Sequence, residues 1–257
     1  MNDCWLALNI GNSRLHWALF NHQDLLQVWH TPHFEQNTAD ILIERSFDFS
    51  TIQISLSNQL LSCPELWIAS VVESQAVLWR SYSKARFVNL AQIPINETYP
   101  TLGIDRALSL WGAVQIYSSP VLVIDCGTAM TFTGVDAELN LVGGAIAPGL
   151  KLQFEALGQK TSALPNLEVS QRPNSEMASE MWAKDTIAAI QSGILNLTLA
   201  GIQAFIEDWN RRFANSAIVL TGGDAPLIYQ KLKDDQVRFE PNLTFLGMQF
   251  LRSCALR

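Results

Sequence analysis

The stretch Leu122–Ala129 reads LVIDCGTA, and it decides the fold because an earlier stretch, Leu6–Ser13, reads LALNIGNS. Each is an apolar run that ends in a polar residue, a spacer, a glycine and a small hydrogen-bonding residue. Asn9, Gly11 and Asn12 thus correspond to Asp125, Gly127 and Thr128. A buried strand that stops at a glycine turn presents bare backbone N–H groups to an anion. The same device built twice predicts two like halves facing one phosphate-bearing ligand.

The residues around each stretch extend the correspondence. Trp5–Ile10 is a strand covered on both faces, Leu15–Phe20 returns, and Leu25–Thr31 forms a third strand. In the second half Val121–Ile124, Met130–Val135 and Leu141–Ile146 repeat that order. Further strands are expected at Leu66–Val72, Phe87–Leu90 and Ala217–Leu220. Helices are expected at Asn37–Phe47, from Gly103 to about Tyr117, from Lys151, and at Asp185–Trp209 with Asp185 as N-cap. A last glycine turn, Thr221–Gly223, leads into a helix that Asp224 can cap and Pro226 can open. Thr161–Ser179 reads as a surface loop, and Trp5, Trp17 and Trp29 as core aromatics. The pattern is α/β: two mixed-sheet domains with flanking helices, 1–118 and 119–257, parted at the Ser118–Pro120 run.

Composition narrows the function. With 48% apolar and 16% charged residues among 257, the chain is globular and can bury a sizeable core. A net charge of −7 argues against a nucleic-acid partner but leaves room for an anionic small molecule in a local pocket. The sequence suggests neither a signal peptide nor a run of membrane-spanning length, so no membrane association is expected. Cys4, Cys63, Cys126 and Cys254 form no CxxC pair and read as reduced, mostly buried thiols of a soluble cytoplasmic protein.

Four segments carry candidate chemistry: Asn9–Ser13, Gly103–Arg106, Asp125–Thr131 and Thr221–Ala225. Phosphoryl transfer needs positioned phosphates, a positioned nucleophile and charge stabilisation more than covalent help. Asp125, at a strand end, can hold a cation near phosphates, and Ser13 and Thr128 offer hydroxyls to phosphate oxygens. Gly222 and Gly223 let a nucleoside approach the backbone closely. Asp105 could accept a proton from an attacking alcohol, or merely cap the helix behind it. In that position it reads as an exposed carboxylate, ionised at neutral pH. Arg106 could grip a carboxylate or phosphate, or sit in a surface ion pair. His30 and His33 form an HxxH spacing with no fitting partner for a metal, and His16 lies in the returning strand.

In this order the segments NIGNS, GIDR, DCGTAMT, Gly143–Gly149 (GGAIAPG) and TGGDA resemble the type III pantothenate kinases, within the acetate and sugar kinase, Hsp70 and actin superfamily. The resemblance implies a duplicated ribonuclease H-like fold and ATP-dependent phosphorylation of pantothenate, the first step toward coenzyme A. It implies Asp105 as the base, and Tyr99, Gly103, Ile104, Asp105, Arg106 and Thr186 as pantothenate contacts. ATP would be bound by Asn9, Ile10, Gly11, Asn12, Ser13, Arg14, Leu15, His16 and Thr128, with the Gly222–Gly223 turn beside them. Asp125 would hold a monovalent cation, K⁺ or NH₄⁺, and Mg²⁺ would accompany ATP. A homodimer with its site at the subunit interface is also implied. Ala189, Gly193, Leu197 and Gly201, at i+4 steps on the long helix, would suit close packing with a partner or within one subunit. One departure stands out: position 9 is Asn where the pattern has Asp, which keeps a carbonyl oxygen but drops a charge. That departure leaves open a non-catalytic regulator on the same fold, and a kinase for another small alcohol is a further alternative.

Overall fold

The computed structural model describes residues 4–54, 63–167 and 181–255. The chain divides into two compact units, Met1–Gln115 with Leu243–Arg257, and Ile116–Asn242. The observed division after Gln115 lies close to the expected one at Ser118–Pro120. The expectation that the second domain runs to residue 257 is corrected, because Leu243–Arg257 belongs to the first unit.

In the first unit, β1 (Cys4–Ile10), β2 (Leu15–Asn21), β3 (Asp24–Thr31), β4 (Glu65–Ser70) and β5 (Ala85–Phe87) form one sheet in the order β3-β2-β1-β4-β5. β1 pairs antiparallel with β2 and parallel with β4. Helices α1 (Gln36–Glu44), α2 (Glu73–Ala76) and α3 (Ile104–Tyr117) follow their strands. In the second unit, β6 (Val121–Cys126), β7 (Ala129–Val135), β8 (Leu141–Pro148), β9 (Ala217–Thr221) and β10 (Val237–Phe239) give the order β10-β9-β6-β7-β8. Reversed, that order repeats the first sheet strand for strand, with β6 antiparallel to β7 and parallel to β9. The duplication read from the two glycine turns is therefore a duplication of topology. The remaining helices are α4 (Leu150–Lys160), α5 (Thr186–Arg212), α6 (Ala225–Leu232) and α7 (Leu243–Ala255).

The central strands of both sheets are buried as the apolar runs require, while β3 and β8 alternate between at least partly covered and exposed residues. Leu6, Leu8 and Ile10 of β1 meet Leu15, Trp17 and Leu19 of β2 in the first core. Trp5, Trp17 and Trp29 are all buried, as expected. The expected strand at Phe87–Leu90 forms earlier, at Ala85–Phe87, and Leu90–Gln92 is a short 3-10 turn instead. Most of the expected loop Thr161–Ser179 lies outside the described residues. Cys63 and Cys254 are exposed, so the expectation of mostly buried thiols holds only for Cys126 and in part for Cys4.

Helix α5 starts at the expected N-cap: the Asp185 carboxylate accepts from the Ala188 N–H at 2.9 Å. It also reaches the length and mean hydropathy, 1.4, of a membrane-crossing segment, contrary to the sequence reading. One face of it (Ile202, Ile206 and Trp209) packs into the core of its own unit, as a core helix does.

Helix α7 joins the first unit through long-range contacts. A methyl group on Gly247 would stand 2.0 Å from the Leu108 carbonyl oxygen of α3, so the two helices cross at backbone distance. One turn away the Ser109 and Thr244 hydroxyls share a 2.7 Å hydrogen bond. Arg252 donates from Nε to Glu65 at 2.9 Å, and its guanidinium lies 4.9 Å from the centre of the Trp5 ring. Because Arg252 is buried and Glu65 mostly so, Arg252→Ala leaves the Glu65 carboxylate with only the more distant Arg86, at 3.8 Å, and opens the Trp5 face. We expect it to cost about 2–3 kcal/mol, read as a lower urea midpoint. Arg252→Lys should recover only part of this, since an ammonium lacks the planar fork.

Candidate active site

In the second unit the site grows from the end of β6. Asp125 lies opposite Thr131 of β7 and Thr221 of β9, so three polar residues form a row at the strand ends. The backbone then closes around Asp125. The Gly149 N–H donates to the Thr128 carbonyl at 3.0 Å, and the Asp224 N–H donates to the Cys126 carbonyl at 2.9 Å. Gly222 has φ +94, and a side chain there would begin 2.4 Å from Asp125 Oδ1. Only glycine permits both that conformation and that approach. The half-buried Asp125 carboxylate therefore lies in a cradle of backbone, with Thr128 and Gly223 exposed at its rim. Asp224 stands at the N-cap of α6 but makes no side-chain capping bond, unlike the expectation, while Pro226 sits in the first turn as read. Burial pushes the Cys126 thiol well up, helped by Asp125 and Asp224, so this cysteine is no nucleophile.

In the first unit the matching turn closes with the Gly11 N–H donating to the Arg14 carbonyl at 3.1 Å. Asn12, Ser13 and Arg14 are exposed. Ile10 and Leu15 are wholly buried in the core, so they reach a ligand, if at all, only through their backbone. Asn9 lies opposite His16, and His16 opposite His30, which makes a polar row like that of Asp125. Asn9 Oδ1 is buried and has no hydrogen-bond partner among the described residues. The His16 and His30 rings meet Nδ1 to Nδ1 at 3.0 Å, so one of them donates. Burial, then His30 and Arg14, pull His16 down to about 4, and burial and Arg14 lower His30 too, so both rings are neutral at pH 7. His33 turns elsewhere, to the Gly11 carbonyl at 2.8 Å. The HxxH pair therefore does not share a ligand. Among the described residues no group of three or more His, Cys, Asp or Glu side chains could hold a metal.

Also in the first unit, α3 starts with the Ala107 N–H donating to the Gly103 carbonyl at 3.1 Å. The Asp105 carboxylate folds back to accept from the Arg106 N–H at 2.8 Å. It is half-buried, not exposed as expected, and burial raises its pKa against the pull of the Arg106 N–H and charge. Arg106 is buried, and its Nη1 donates to the Tyr99 hydroxyl at 3.0 Å, which ties Tyr99 to the GIDR segment. The Ile104 side chain is buried. Thr186 is the first residue of α5, exposed, and belongs to the second unit.

The donors fit the cations that the resemblance implies. The glycine-lined Asp125 carboxylate and the orphaned Asn9 oxygen are hard oxygen ligands, suited to Mg²⁺ or K⁺ rather than to a soft metal. The sequence shows His30 and His33 only as a spacing and Gly149 only within a motif, with no role for any of the three. His30 becomes visible only once β2 and β3 are laid in register, and Gly149 only as the end of the GGAIAPG segment.

A duplicated sheet with a glycine turn closing the matched strand of each half, one beside a carboxylate, and a half-buried aspartate at a helix start are the parts from which phosphotransferases of the duplicated ribonuclease H-like class are built. The model of the type III pantothenate kinase family matches residues 5–208, and the chain belongs to that family. A type III pantothenate kinase of Nostoc sp. strain PCC 7120 is 43% identical over 95% of this chain and 93% of its own length. One from Synechocystis sp. strain PCC 6803 is 40% identical over 95% and 88%. Among solved structures, a conserved Campylobacter jejuni protein of the Baf family of transcriptional activators superposes with a TM-score of 0.64. At 19% identity over 98% of both chains, that likeness concerns the fold alone.

Proposed function

We propose that the chain phosphorylates the primary hydroxyl of pantothenate with ATP to give 4′-phosphopantothenate, in the cytoplasm, with Asp105 as the base. Its family membership supports the activity, and the raised pKa of Asp105 is the observation that carries the residue's role. A carboxylate that burial makes more basic accepts a proton more readily than a solvated one. The hydroxyl proton passes to an Asp105 carboxylate oxygen, the alcohol oxygen bonds to the γ-phosphorus, and the bond to the β-bridging oxygen breaks to release ADP. Arg106, held by Tyr99, orients the acceptor, and Gly103 and Thr186 complete its contacts.

The Asn9–His16 segment, Thr128 and the Gly222–Gly223 turn bind ATP, the two turns through backbone N–H groups and the Ser13 and Thr128 hydroxyls. Asn9 would offer an oxygen to Mg²⁺, and Asp125 would hold K⁺ or NH₄⁺. Bound cations neutralise charge on the phosphates. A coupled assay with ATP and pantothenate, titrated with K⁺, tests this reading. Turnover should require pantothenate and rise with K⁺, and equal turnover with other small alcohols would move the acceptor assignment.

We further propose a homodimer that completes the substrate site. Ala189, Gly193 and Gly201 are exposed along α5, and Leu197 in the same row is 75% exposed. An apolar, small-residue face of this kind supports close packing against a second copy. Leu197→Asp should turn a dimer into a monomer by light scattering and remove pantothenate turnover with it. A wild-type monomer with full activity would contradict the assembly.

A further inference from the structure

The ATP reading uses the turn at residues 11–14 but leaves unexplained why three histidines surround it. His33 lies in the connection between β3 and α1. Its partner is a carbonyl, which can only accept, so Nε2 carries the proton that bonds the Gly11 oxygen at 2.8 Å. The connection is itself fixed. Gln75 of α2 accepts from the Phe34 N–H and donates to the Phe34 carbonyl, each at 3.0 Å. Phe34 packs at 6.3 Å from both Trp17 and Trp79 in the core. Below the turn, His16 Nε2 and Cδ2 lie 3.5 and 3.6 Å from where a Gly11 side chain would begin, so the ring is the turn's floor. His30 crosses that ring at 74° and holds it through the Nδ1 contact. Gly11 is thus secured on three sides: N–H to Arg14, carbonyl to His33, and ring beneath.

We propose that His33, braced by Gln75, and His30, acting through His16, are positioning residues that hold the first phosphate turn in its nucleotide-binding conformation before ATP arrives. This rests on the reading of that turn as an ATP-phosphate site. A turn made of exposed polar residues has many conformations in water, and fixing it in advance removes that ordering cost from binding. Neither residue needs to touch the nucleotide. His33 clamps the one carbonyl whose peptide flip would swing the next N–H, that of Asn12, away from an anion.

The test is steady-state kinetics beside direct ATP titration, by calorimetry with ATP and Mg²⁺ and no pantothenate. His33→Ala should raise KM and Kd for ATP about tenfold, the order of one net hydrogen bond. KM for pantothenate should stay within about twofold and kcat should change little. His33→Gln, which can still donate to the Gly11 carbonyl, should restore most of the ATP affinity. Gln75→Ala and His30→Ala should reproduce the ATP effect at smaller size. A His33→Ala chain with unchanged ATP affinity overturns the proposal. So does one in which both substrates weaken together or in which His33→Gln fails to rescue, because those results mean a general packing role. If the wild-type chain itself takes up no ATP in the titration, the reading of the turn fails and the proposal fails with it.

Discussion

Replacing Asp105 with asparagine is expected to lower kcat for pantothenate phosphorylation by about 10²–10⁴-fold, the span of a positioned general base. Asparagine keeps the size of the side chain and the oxygen that accepts from the Arg106 N–H at 2.8 Å, so the start of α3 should survive. It cannot take a proton. The stability change should have the opposite sign from most substitutions. Burial raises the folded-state pKa of Asp105 above its unfolded value, so its ionisation opposes folding at neutral pH. That opposition fades as pH falls through the folded pKa. The asparagine variant should therefore melt no lower than wild type at pH 7. By the same sign, the acid limb of the wild-type kcat/KM profile for pantothenate should lie above that of a solvated aspartate, because the base must be ionised to act. A variant with most of its turnover intact, or a wild-type acid limb no higher than that of a solvated aspartate, would remove Asp105 from this role.

Gly222→Ala is expected to cost at least about 100-fold in kcat/KM for ATP. Alanine at φ +94 costs about 1–2 kcal/mol in backbone conformation alone. Its methyl group would also begin 2.4 Å from Asp125 Oδ1 and 2.7 and 2.8 Å from backbone atoms of Cys126. Those neighbours belong to a central strand paired on both sides, so the strand cannot yield and the Thr221–Gly223 turn must move. Moving it opens the cradle around Asp125 and displaces the N–H groups at the start of α6. Nucleotide titration should show the affinity loss directly, with a lower melting temperature beside it. Wild-type ATP affinity in this variant would mean that the turn is only a connection between β9 and α6.

The parts of this molecule that sequence could reveal are those fixed by local chemistry. An apolar run ending at polar-x-Gly gives a strand and a turn wherever it occurs, so the LALNIGNS and LVIDCGTA stretches disclosed the duplication. Asp185 before an apolar helix gave the cap of α5. What stayed hidden depends on residues distant in the chain. Nothing within α7 says which sheet it covers, because its anchor pairs Arg252 with Glu65 and Trp5. The burial of Asp105 arises from packing around the helix start, so a local reading leaves an exposed cap. His30 and His33 read along the chain as a spacing. The β2–β3 register sets one against His16, and the bend toward α1 sends the other to Gly11. Asn9 marks where sequence and structure meet: the missing charge is visible in the letters, and the buried oxygen without a partner among the described residues only in the fold.

The most direct test is product analysis by mass spectrometry after the wild-type chain is incubated with ATP, Mg²⁺, K⁺ and pantothenate. The account predicts 4′-phosphopantothenate and ADP in equal amounts, with no ADP formed when pantothenate is left out. ADP released without the acceptor, or a phosphoryl group found only on some other alcohol offered alongside, would contradict it.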